Sequence, residues 1–287
     1  MNALNSVVTT IFDLVLTPLE MMGNEMALIL ISGIFGILAL IAFKYISYQK
    51  GIKAAKNKIK AHLIAIRLYQ DDLVVVTKSI FKILARNLQY ITYNFGPFIP
   101  LAIPFVFVLA QMVVRYAFVP VPVTPDPTEL VPGQGVMITI EASEGHERDI
   151  MGLEVEYPDG LTPISPLARI GAAGKAFQEV AATAPGDYEI TFRMPSGGEV
   201  TKRIVAGEET QVRMLQPERV GSALVAMLWP AEATLGGDSG LSHISFQYPE
   251  SDLGWLPGSG IMGILIWFLV ASMALGVAVL KPMGIQI

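Results

Sequence analysis

The sequence has no cysteine and little charge: of its 287 residues 16% are Asp, Glu, Lys or Arg, and three are histidine. Without cysteine there are no disulfides, thiol nucleophiles, thiolate zinc sites or cysteine-ligated iron-sulfur clusters. Soluble domains carry about a quarter charged residues. The shortage here, beside 52% hydrophobic residues and a mean hydropathy of +0.52, points to a chain partly dissolved in lipid. His62, His146 and His243 are too far apart for metal-ligand spacing, and no G-x-S-x-G, P-loop or dinucleotide fingerprint occurs. No catalytic residue, metal ligand or cofactor is therefore assigned, and the chain is not read as an enzyme. His146, in EGHERD, reads as a solvated loop, and GGDSG at 236–240 as a turn rather than a serine nucleophile.

What is present is apolar sequence in long runs. Residues 24–46, 95–118 and 258–281 are each long and apolar enough to cross a bilayer, which takes roughly 20 helical residues. The second run is uneven, with Pro97, Pro100 and Pro104 in its first half and Gln111 and Arg115 in its second. Residues 1–23 follow a different pattern. Leu4, Val7, Val8, Ile11, Leu14, Val15, Leu19 and Met22 recur at helical spacing, while Asn2, Ser6, Thr9, Asp13, Thr17 and Glu20 fall on the other side. This reads as an amphipathic helix lying in the membrane interface. A signal peptide is the rival, but the segment has neither a basic start nor a clear small-x-small cleavage site.

The formal charge of −5 is sorted along the chain. Residues 1–43 hold Asp13, Glu20 and Glu25 and no Lys or Arg; residues 44–94 hold ten Lys or Arg against Asp71 and Asp72; residues 95–258 hold nine basic and twenty acidic side chains. Basic residues beside spans mark the cytoplasmic side. In a prokaryotic cytoplasmic membrane, the expected topology puts the N-terminus outside, the 47–94 segment in the cytoplasm, the 119–257 segment outside, and the short 282–287 tail in the cytoplasm.

Within 47–94, apolar positions 52, 55, 59, 63 and 66, then 73, 76, 80, 83 and 84, predict two helices bending at Gln70, Asp71 and Asp72, with an Asp capping the second. This is an antiparallel, coiled-coil-like hairpin. Lys53, Lys56 and Lys60 form one basic stripe, and Lys78, Lys82 and Arg86 another. A solvated cytoplasmic face explains both; a ribosome or nucleic-acid contact is the alternative, with no specific nucleic acid implied.

Residues 119–257 open on VPVPVTPDPTELVPG and continue as short β-rich runs at 136–141, 152–157, 177–182, 188–193, 200–205 and 211–215, separated by Gly, Pro and Asp turns. A β-sandwich is expected. APGDYEITFRMPSG resembles the late strands of immunoglobulin-like domains, with Tyr188 at the place of a corner tyrosine. Residues 222–229 and 241–248 either add strands or cap the sandwich.

The order of parts, an amphipathic helix, a first span, a basic hairpin and a proline-opened second span, resembles the YidC-type membrane-protein insertase superfamily. TPLEMMGNEMALILI, KYISYQKGIKAAKNKIKA and NFGPFIPLAIPFVFVLAQM resemble its approach to the first span, its exit into the hairpin and its return. The likeness covers residues 12–118 and the last span. It implies a hydrophilic groove that eases polar segments into the bilayer, for which Gln111, Arg115, Pro100 and Pro104 are the groove candidates. Bacterial members usually carry a groove arginine in the first span; SGIFGILALI offers Phe35 and Gly36 instead. Arg115, near the outer end, reads as a snorkelling side chain. In the last span Ser259/Gly263 and Ser272/Gly276 are small-xxx-small pairs that admit another helix.

Two functions are expected. One is insertion or assembly of membrane proteins, with nascent clients and a ribosome as partners beside the lipid bilayer. The other is a non-catalytic scaffold subunit of a hetero-oligomeric envelope complex, binding partners through its outer domain and spans.

Overall fold

The computed structural model describes residues 2–126, 130, 133–196, 198–210 and 212–284. Six α-helices occur among them: α1 (Asn2–Glu20), α2 (Asn24–Ile46), α3 (Gln49–Leu68), α4 (Leu73–Phe95), α5 (Phe98–Tyr116) and α6 (Gly260–Met283). Nine strands lie between α5 and α6: β1 (Val136–Ala142), β2 (Glu154–Glu156), β3 (Leu161–Pro163), β4 (Ala168–Ile170), β5 (Lys175–Ala182), β6 (Gly186–Arg193), β7 (Glu199–Ala206), β8 (Glu218–Val220) and β9 (Leu241–Phe246). Among the described residues four stretches could cross a membrane by length and composition: α1, α2, Leu73–Tyr116 and α6.

The chain forms two compact units, residues 1–27 with 106–266 and residues 28–105 with 267–287. In the second unit the expected hairpin is present. Asp72 caps α4, its Oδ1 accepting from Val74 N at 2.9 Å and Val75 N at 3.1 Å, so two of the orphan donors of the first turn are satisfied. At the base of the hairpin Tyr48 and Tyr93 meet edge to face at 5.5 Å. Ile52 and Ala55 are buried there, but Leu63, Ile64, Leu68, Leu73, Phe81, Leu84 and Leu88 are exposed, so part of the hairpin surface is apolar.

Helices α2 and α6 approach through small residues. A Cβ on Gly36 would fall 2.7 Å from Ser272 Cα, and one on Gly276 would fall 3.3 Å from Gly36 O. Phe35 packs in a ring cluster with Phe105 (6.1 Å) and Phe268 (5.4 Å). Lys44 Nζ donates to Met283 O at 2.8 Å, placing a cation on the carbonyl end of α6.

The first unit holds the β domain. One antiparallel sheet has the order β3-β5-β1-β9-β8, with β4 also paired to β5; the other has the order β2-β6-β7. Alternate residues of both sheets share one core, which includes Ile138, Ile140 and Val180, Ile190, Phe192 and Ile204, and Phe246. Tyr188 Oη donates to Ala184 O at 2.8 Å, as a corner tyrosine does where β5 of one sheet gives way to β6 of the other. Of the two undecided segments, 241–248 contributes β9 and 222–229 forms a turn with a short 3-10 helix at Val225–Met227. The run at 211–215 is not a strand over its described residues 212–215; Leu215 is buried and its N–H donates to Val114 O at 2.7 Å, a carbonyl in the last turn of α5. Strands β3, β4 and β8, three residues each, are too short for alternation to reveal.

Candidate functional site

The second half of α5 meets the polar side of α1. Arg115 Nη2 donates to Asp13 Oδ1 at 2.7 Å, and the Arg115 side chain is 1% exposed against 39% for Asp13. Gln111, fully buried, donates through Nε2 to Thr9 Oγ1 at 2.9 Å and accepts from Arg115 Nε at 3.4 Å. Tyr116 Oη donates to Glu20 Oε1 at 2.9 Å. The β domain joins the same seam: Arg213 Nη1 donates to Thr17 Oγ1 at 2.8 Å and stands 3.8 Å from Asp13 Oδ1. Asn5 Nδ2 donates to Ala226 O at 3.0 Å, and Asn2 Oδ1 accepts from Thr234 N at 3.2 Å.

The helical spacing that separates polar from apolar residues on α1 thus has a definite use. Its polar residues Asn2, Thr9, Asp13, Thr17 and Glu20 hydrogen-bond to α5 and the β domain on the side where Asn5 and Leu16 are buried, while Leu4, Val7, Ile11, Leu14, Val15 and Met22 are exposed. A helix on a water-soluble domain instead turns its apolar stripe to the core.

One expectation is corrected. Arg115 does not snorkel; burial against α1 lets it pair with Asp13 instead of reaching for headgroups. The helix that approaches at the Ser272/Gly276 pair is α2, at Gly36. Ser259 and Gly263 sit at the start of α6 on the preceding loop, where Ser259 Oγ donates to Glu250 Oε2 at 2.9 Å and Gly263 faces Leu253. Pro100 and Pro104 are exposed, about four and three turns ahead of Arg115 on α5. Pro100 occupies the first turn, where a missing N–H leaves no carbonyl unpaired, so of the two only Pro104 interrupts the helix interior. Phe35, in the first expected span, lies in its ring cluster with Phe105 and Phe268. On the hairpin Lys53, Lys56, Lys60, Lys78 and Lys82 are exposed, and Arg86 is half-buried with Nη1 donating to Gln89 Oε1 at 2.7 Å.

Within the β domain, Lys202 is wholly buried on β7 and was missed in the sequence. Its Nζ donates to Gln216 O at 2.6 Å and pairs with Glu232 Oε1. Gln216 Oε1 in turn accepts from Ala231 N at 2.7 Å. Burial pushes the Lys202 ammonium below its ordinary value, against the pull of Glu232. The signal lay in the alternation, since Val200, Lys202 and Ile204 fall on one face of the strand.

His146, Asp149 and Ser196 also cluster. Nδ1 of His146 lies 2.9 Å from Asp149 Oδ2 and 3.0 Å from Ser196 Oγ, and Ser196 donates to Asp149. A nucleophilic triad needs serine on one ring nitrogen and the carboxylate on the other; here both approach Nδ1, so the trio is a hydrogen-bonded turn. Hydrogen bonds from Ser196 and His146 hold the Asp149 carboxyl below its ordinary value. Ser239 of GGDSG is buried with its hydroxyl on Gly236 O at 2.7 Å, which removes it as a nucleophile. Among the described residues no group of three or more His, Asp or Glu could hold a metal ion.

No family model, curated protein or solved structure matches this chain. Its function is therefore argued from the geometry of the seam.

Proposed function

We propose that this chain is a non-enzymatic, membrane-anchored assembly protein, built on an insertase-like order of helices, that presents an immunoglobulin-like β domain at the outer face of a prokaryotic cytoplasmic membrane. The observation that carries the reading is the seam between α1 and α5. A groove that receives polar clients needs polar groups open to water or lipid, whereas Gln111 and Arg115 are buried and paired with Thr9 and Asp13. The polar side of α1 meets β-domain residues from Asn2 to Thr17, about 22 Å of helix at 1.5 Å per residue. A helix bound to a water-facing domain over that length lies in the interface beside it rather than crossing to the other side. Its exposed apolar row then belongs in lipid. The acidic 95–258 segment and the basic 44–94 hairpin support placement of the β domain outside and the hairpin inside.

The test is purification of the full chain from native membranes in mild detergent. A defined membrane partner at fixed stoichiometry is the expected result; a chain that elutes alone contradicts the assembly role. Insertion itself is the second reading, favoured by the exposed apolar surface of the hairpin beside Lys78 and Lys82 and by exposed Ile99 and Ile103 on α5. A photocrosslinker at Ile99 that captures nascent membrane proteins establishes this reading, and one that captures only lipid removes it.

A further inference from the structure

The turn between β8 and β9 carries an apolar surface of its own. From Val220 to Ala231 the chain has no charged residue, although the 95–258 segment is acidic overall. Ala226 and Trp229 are buried, whereas Leu224 is 79% exposed and Val225 and Leu228 are exposed beside it. The turn is held at both ends. At its base Gln216 accepts from Ala231 N and Glu232 N and lies on the buried Lys202. At its tip Asn5 of α1 donates to Ala226 O. Three apolar side chains fixed in this way cannot fold back to cover themselves, and each exposed to water forgoes the gain of burial.

We propose that residues 224–228 insert into the same lipid leaflet as the exposed row of α1, so that the β domain is held down by a loop as well as by a helix. The inference rests on the interfacial reading of α1. Lipid is the occupant because the turn is fastened to the first turns of α1, whose Leu4, Val7 and Ile11 are themselves exposed. The domain is also tied to apolar helices at both ends, α5 before it and α6 after it. Trp255, 62% exposed and five residues ahead of α6, has the character of a headgroup-level aromatic. With no charge from Val220 to Ala231, no charged side chain has to be desolvated to bring the turn to the acyl boundary.

The chain has no native cysteine, so single reporters can be placed without interference. Leu224→Cys, Leu14→Cys and Glu144→Cys in the full chain are each labelled with an environment-sensitive fluorophore. The proteins are reconstituted in phosphatidylcholine/phosphatidylglycerol vesicles with iodide on both sides. The expected result is strong quenching of the 224 and 14 reporters by nitroxide-bearing lipid with several-fold weaker quenching by iodide, and the opposite at 144. A 224 reporter quenched by iodide while the 14 reporter is shielded overturns the loop inference and leaves the α1 reading standing. A 14 reporter quenched by iodide overturns the α1 reading. If the 224 reporter is shielded from iodide only at high protein density and is not reached by nitroxide lipid, a second copy covers the turn and the lipid assignment is wrong.

Discussion

At the scale of single residues, the Arg115–Asp13 pair is unequal: the cation is 1% exposed and the anion 39%. Removing the anion leaves a guanidinium buried without its charge partner, whereas removing the cation leaves a carboxylate that reaches water. Asp13→Ala is therefore expected to destabilise the protein by about 3 kcal/mol, more than Arg115→Met, and the double variant is expected to recover part of the loss. Thermal unfolding of the three variants in mild detergent, followed by tryptophan fluorescence, checks the order. A second pair sits in the β domain, where His243 Nε2 lies 3.4 Å from Glu218 Oε2. Glu218 raises the His243 imidazole against the opposing effect of burial, with Glu141 adding to the rise and Lys175 subtracting from it. His243 in turn holds the Glu218 carboxyl low. The histidine contribution is complete below about pH 6.5, its unfolded value, and is lost as pH rises through the higher folded one. The glutamate contribution is complete above about pH 4.3 and is lost as pH falls through the lower folded value. The pair is most stabilising between these limits, so unfolding midpoints should fall as pH rises from 6 to 8, and His243→Gln should flatten that slope.

At the scale of elements, α2 and α6 depend on the absence of a side chain at Gly36. Gly36→Ala is expected to cost about 1–3 kcal/mol by overpacking against Ser272 backbone, measured as a lower thermal midpoint. Gly276→Ala should cost less, because its Cβ would meet the flexible end of Leu40 at 3.0 Å. The link between α1 and α2 uses glycine differently: Gly23 has φ +103, where side chains are disfavoured, and ends α1 with its N–H on Glu20 O at 3.0 Å. Most elements were legible from periodicity and caps: α2, α3, α4 with its Asp72 cap, α5, α6, β1, β5, β6 and β7 stand within a few residues of expectation. The short strands β3, β4 and β8 were not, since pairing with neighbours distant in sequence, rather than local pattern, makes them strands. The candidate site was half legible. Gln111 and Arg115 stood out as polar residues in an apolar run, and the polar row of α1 was visible. That the two fit together could not be read, because their partners lie 102 positions apart.

At the scale of the whole molecule, the shortage of charge and the sorting of what charge there is led to a lipid-facing helical set and an acidic β domain. The lack of cysteine leaves that domain to stand on packing and on internal polar nodes such as Lys202 with Glu232 and Gln216. The central claim is that α1 seals the polar half of α5. Gln111→Cys in the otherwise cysteine-free chain tests it directly, with a membrane-impermeant maleimide applied to intact and to opened membrane vesicles and Glu144→Cys as the reactive control. The account predicts that position 111 stays unlabelled on both sides until the protein is denatured. Rapid labelling in native membranes would contradict the seal and restore an open polar groove.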